Sequence, residues 1–195
     1  MTCTGLLGGD ILADCDNAPV GGIEVNVLLF NRLDIDKTAT TFDGANKLLI
    51  TNFQLLSGKT GFLLEGVKQI NGLSEELVKK ETGPDAFKHL LSAMVINPSV
   101  ANRKELQNLS EGASVAAMVE LKWKGVSQAE AFILGGFEAG LELNVLTRNT
   151  KENDGSITFE LSSVDGFEEP KQTLTVLETD YATTKAAFDA KFAQA

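Results

Sequence analysis

Residues 129–177, AEAFILGGFEAGLELNVLTRNTKENDGSITFELSSVDGFEEPKQTLTVL, decide the fold. Within them, residues 132–137, 141–146, 156–161 and 173–177 are β-rich runs, and Gly, Asn, Asp and Pro punctuate them. Short runs of that kind, bounded by turn-forming residues, predict strands. Taken in order they predict a meander, with Asn153, Asp154 and Gly155 as a compact turn between its second and third main runs.

Working outward, Val115, Ala117, Val119 and Leu121 share one face of a strand over residues 113–123, which pairs with residues 129–137 across Gly125. Residues 100–109 follow Pro98 and Ser99, a helix-start signal, and place Leu106 and Leu109 on the buried side. At the C-terminal end Thr179 is a candidate cap for a helix. Tyr181, Thr184, Phe188 and Phe192 descend one side of it and need a sheet face to bury them.

Nearer the start, residues 23–31 alternate and then turn apolar on both sides, the pattern of a strand whose far end is buried on both faces. Residues 47–56 and 60–70 read as a hairpin turning at Ser57, Gly58 and Lys59. Residues 74–81 predict a helix of one or two turns capped by Ser74 and stopped by Gly83 and Pro84. Residues 87–95 fit either period, and a strand is favoured. The whole predicts a mainly β, α+β chain: a β-sandwich or barrel with two or three short helices, one of them C-terminal and packed on a sheet. Residues 1–20 read as an N-terminal arm and 21–195 as a single β-rich domain.

Composition narrows the function. Hydrophobic residues make up 43% and charged residues 23% of the 195 residues, ordinary for a folded chain. Seventeen Lys and Arg against twenty-seven Asp and Glu give a net charge of -10, which argues against a phosphate-tracking groove and specific nucleic-acid binding. No run approaches the ~18 apolar residues of a membrane helix. Leu12-Ala13-Asp14-Cys15 fails as a lipidation box because Asp14 precedes the Cys and no Lys or Arg opens the segment. A soluble chain made in a cytoplasm, without a membrane partner, is expected.

Candidate chemistry is sparse. Gly58-Lys59-Thr60 resembles the end of a phosphate loop, but Phe53 occupies the position where that motif needs Gly, so a turn is the better account. His89 is the single histidine, without a second His, Cys or Asp at ligand spacing, and reads as structural. Cys3 and Cys15 read as free thiols. Trp123 between Lys122 and Lys124 reads as core or interface bulk. Glu138, Glu142, Glu160, Glu168 and Glu169 are scattered along strands and turns, the usual pattern of a solvated face. No catalytic, cofactor-binding or metal-ligating residue is assigned, no cofactor is expected, and an enzyme is not the expected reading. Residues 32–46 form a long polar stretch, an interface candidate.

The segments GKTGFLLEG, Lys88-His89, TRNTKENDG, Glu168 to Lys171 and ETDYATTKAAF together resemble structural proteins of tailed phages and prophages of Bacteroides-like bacteria. Within that class the size, the sheet-plus-helix plan and the early long loop are similar to tail tube proteins. The resemblance implies a flattened sandwich or barrel flanked by a helix, assembled as stacked rings, usually of six, in the virion. Six copies at -10 each carry -60 charges around a DNA conduit, which disfavours adhesion. It also implies that the chain's partners are itself, through residues 1–20 and 32–46, and other virion proteins. A head-to-tail connector or collar component, or a β-sandwich module binding carbohydrate or protein, is the alternative.

Overall fold

The computed structural model describes residues 9–12, 17–66 and 70–194. Among the described residues eleven strands and two α-helices occupy three layers. In chain order the strands are β1 (Ile23–Asn31), β2 (Thr41–Phe42), β3 (Leu49–Asn52), β4 (Phe62–Glu65), β5 (Gly72–Val78), β6 (Ala86–Val95), β7 (Val115–Leu121), β8 (Phe132–Gly135), β9 (Glu142–Arg148), β10 (Ile157–Ser162) and β11 (Leu174–Val176). Helix α1 (Val100–Ser110) links β6 to β7, and α2 (Tyr181–Asp189) follows β11.

The central layer is a seven-stranded sheet, ordered β2-β3-β11-β8-β7-β1-β4, and the second is a four-stranded sheet, β5-β6-β10-β9. Strand register explains why the central strands are apolar on both sides. One row, Leu28, Met118, Leu134 and Leu174, faces α2 and the loops around it. The row on the other face, Val27, Val119 and Ile133, meets the four-stranded sheet. That sheet answers with an unbroken row of leucines, Leu73, Leu91, Leu161 and Leu143. Six of the seven residues of β7 are buried accordingly.

The helix layer is anchored by aromatics. Phe53 meets Phe30 and Phe192 edge-on at 5.1 Å, and Phe132 packs on Phe188 at 5.2 Å. Such contacts add about 0.5–1.5 kcal/mol each beyond the area they bury. The N-cap of α2 is Asp180 and not Thr179: the Asp180 carboxylate accepts the Thr183 N–H at 2.7 Å from an extended backbone. Ser99 caps α1, and Leu106 is its buried residue.

Three further local expectations change. Residues 74–81 do not form a helix, because β5 pairs with β6 over seven residues, and that pairing overrides the helix-favouring Glu and Leu. Residues 47–56 and 60–70 do not form a hairpin: β3 and β4 lie far apart in the seven-stranded sheet. Residues at the C-terminus stand beside the turn instead, since Gly61 N–H donates to the Lys191 carbonyl and Gln194 N–H to the Lys59 carbonyl.

The stretch 129–177 is not one meander. Its outer strands, β8 and β11, pair with each other in the large sheet, while β9 and β10 form a hairpin in the small one. The chain crosses between sheets at residues 136–140, where Gly136 and Gly140 both have positive φ. A Cβ at Gly136 would lie 3.0 Å from the Val115 carbonyl, and one at Gly140 would collide with Ser114 Oγ. Only glycine fits both requirements.

Candidate functional surface

The 136–140 crossing is held by several side chains from distant parts of the chain. Glu169, 3% exposed, accepts the backbone N–H groups of Glu138, Ala139 and Gly140 at 2.8–3.2 Å. Gly136 N–H donates to His89 Nδ1 at 3.2 Å, and His89 Nε2 lies 3.1 Å from the Lys171 carbonyl. Burial pushes the imidazole below its ordinary range, against the opposing pull of the Glu169 and Glu75 carboxylates. His89 therefore fastens β6 to the 136–140 crossing and to residues 163–173, which lead from β10 in the small sheet to β11 in the large one. Among the described residues no group of three or more His, Cys, Asp or Glu is placed to hold a metal ion.

Residues 32–46 are tied to the same point. Arg32 Nη1 donates to the Glu138 carbonyl at 2.9 Å, and Lys37 Nζ contacts the Glu138 carboxylate at 2.6 Å. Ile35 and Thr40 are buried, β2 lies inside the stretch, and its exposed residues are Leu33, Lys37, Thr38, Ala39, Thr41 and residues 44–46. The Gly58-Lys59-Thr60 segment is a surface turn in which Lys59 pairs with Asp34 at 3.0 Å. Cys3 and Cys15 lie outside the described residues, as does most of the arm assigned to residues 1–20.

Trp123 and Tyr181 are both half-buried. The Trp123 indole donates to the Asn17 carbonyl at 3.0 Å. Tyr181 stacks on Phe132 and donates to the buried Glu120 carboxylate at 2.7 Å, which also receives Lys124. Burial alone would raise the Glu120 carboxyl, but Lys124, Tyr181 and Lys185 hold it below its ordinary range. This cluster locks α2 onto β7. The exposed aromatics are instead Phe62, 53% exposed on β4, and Phe167, 73% exposed on a surface turn. Sequence reasoning passed over both.

The remaining surface of interest is the outer face of the four-stranded sheet, which no described helix or strand covers. Alternation sends Leu73, Leu91 and Phe159 inward and turns the opposite residues outward. One outward row runs Ser74, Leu90, Ser162 and Glu142, and Glu76 stands opposite Lys88. A further row holds Ser92, Glu160 and Val145. The face is thus polar and acid-rich, with Glu76, Glu142 and Glu160 against Lys88. Lys88 is already paired with Asp165 at 2.7 Å. An open hollow of about 510 Å³ lies on it, lined by Ser74, Glu75, Glu76, Lys88, Leu90 and Asn144.

The sheet ends on β5 and β9, and no described strand lies beyond either. Both are seven residues long, and six of the seven residues of β9 are exposed. No helix among the described residues is long and apolar enough to cross a membrane. Comparison with protein-family models, with curated proteins and with solved structures returns no match to this chain.

Proposed function

We propose that this chain is a structural subunit of a homo-oligomeric assembly, specifically a tail tube subunit of a tailed phage, whose rings stack around a negatively charged DNA conduit. The observation that carries the reading is the four-stranded sheet: one face is acid-rich and carries no described helix or strand, and no described strand lies beyond either edge strand. An exposed sheet edge pairs promiscuously unless something covers it, and neighbouring copies in a closed ring do so. The net charge of -10 fits the same reading, because a lumen presenting carboxylates repels phosphate. Residues 1–20 and 32–46 are the segments assigned to contacts between rings, other virion proteins to the ends of the stack, and the virion is the place of action. His89, Glu120 and Glu169, whose chemistry would attract a catalytic reading, are held by structural bonds.

Negative-stain microscopy of the purified chain, with its mass in solution, tests this. Rings or tubes are expected. A 20.8 kDa monomer at all concentrations, binding glycans or a single protein, would overturn the reading in favour of a binding module.

A further inference from the structure

We propose that the ring closes by strand addition: the outer edge of β9 in one copy pairs antiparallel with the outer edge of β5 in the next. The register sets Val145 opposite Val78, Leu146 opposite Leu77 and Arg148 opposite Glu75. This rests on the ring reading above and names the surface and the partner, a second copy.

Direction follows from topology. β5, β6, β10 and β9 alternate in sense, so the first and last strands run oppositely, and head-to-tail repetition of the sheet places β9 antiparallel to the next β5. Register follows from the side chains. Leu146 and Arg148 stand opposite Phe159 and Ile157 on the inward face, and Val145 stands opposite Glu160 on the outward face. On β5, Glu75 and Leu77 stand opposite His89 and Phe87 on the inward face, and Val78 lies outward. A slip of one residue turns every inward side chain against an outward one. A slip of two in one direction puts Glu75 against Leu146, and in the other puts Leu77 against Arg148. The proposed register alone matches apolar with apolar twice and acid with base once.

Two further observations support the match. Leu77, Val145 and Leu146 are 47%, 42% and 44% exposed, large apolar side chains left on the edges of a sheet whose interior is well packed. The register of β9 shifts at Asn144, so the paired run begins at Val145, immediately after the irregularity. The large sheet is guarded differently. Its β2 edge is two residues long, and the start of β4 is met by the C-terminal residues through the bond from Gly61 to Lys191.

The test is a cross-link in the full chain carrying Cys3→Ser and Cys15→Ser. Leu77→Cys with Leu146→Cys is oxidised mildly and run on a non-reducing gel. Within one copy these positions lie on opposite edges of the sheet, about three strand spacings across and about six residues along the strands, or ~25 Å apart, too far for a disulfide. A ladder of covalent oligomers is expected, and at least tenfold less of it from Leu77→Cys with Arg148→Cys, a pair displaced by two residues. Leu146→Asp in the otherwise unmodified chain should lower ring yield at least tenfold, while its monomer keeps the circular dichroism spectrum of the parent. Rings that form without the ladder, a ladder equal for both pairs, or rings indifferent to Leu146→Asp would overturn this interface and leave the ring reading standing. A chain that stays monomeric throughout would overturn both.

Discussion

His89 Nδ1 accepts the backbone N–H of Gly136 at 3.2 Å, so the proton of the neutral ring sits on Nε2, where it is donated to the Lys171 carbonyl. The ring holds the 136–140 crossing and the connection from β10 to β11 at once, and it can do so only while neutral, since protonating Nδ1 would set two donors against each other. Stability should follow that proton. The folded-state value is depressed, so the histidine contributes its full stability above the unfolded value of about 6.5. As pH falls below that, the unfolded chain takes up a proton that the native chain refuses. Stability should then fall by up to about 1.4 kcal/mol per pH unit until the folded value is passed. Urea denaturation between pH 7.5 and pH 5 reads this, and His89→Gln should flatten that part of the profile.

Glu169→Ala removes the acceptor of three backbone N–H groups at the glycine-dependent crossing. Leaving such donors unpaired in a buried position should cost about 2–4 kcal/mol. The urea midpoint should drop with an unchanged slope. A loss below about 0.5 kcal/mol would mean that the crossing keeps its shape without the carboxylate.

Tyr181→Phe deletes the hydroxyl that bonds Glu120 but leaves the ring stacked on Phe132. The expected loss is about 1.5–3 kcal/mol, as for a hydrogen bond to a charged group. Phe188→Ala, 2% exposed at the centre of the helix–sheet contact, should cost more, about 3–5 kcal/mol. Thermal melting of the two variants side by side checks the order.

Much of this architecture was legible in the residues, and the part that was not has a common cause. β7 was readable because Val115, Ala117, Val119 and Leu121 alternate without interruption, and α1 because Pro98 and Ser99 announce it. Residues 74–81 read locally as a helix because Leu, Glu and Lys favour that state, while the pairing of Leu73, Glu75 and Leu77 with residues of β6 is a tertiary fact. The meander failed similarly: adjacent strands were visible, but not which sheet each would join. The candidate surface was illegible for the same reason, since Ser74, Leu90, Ser162 and Glu142 come from four separate runs and form a row only through register.

Removing residues 1–16 should spare the fold, because it retains Asn17, whose carbonyl receives the Trp123 indole. Ile11 and Leu12 are 89% and 83% exposed, so the folded subunit gains little from burying them itself. Rings should still form while longer stacks disappear from negative-stain fields. Tubes as long as those of the full chain would show that the arm has no part in stacking.

The order of strands in the large sheet also dictates when this polypeptide is complete enough to fold on the ribosome. β3 lies beside β11, made more than a hundred residues later, and β1 must wait for β7. Contacts so distant in sequence form slowly. For most of its synthesis the nascent chain therefore carries sticky, unmatched segments such as Val27-Leu28-Leu29-Phe30. A cell making many copies at once would depend on its chaperones to keep them apart until the last helix emerges.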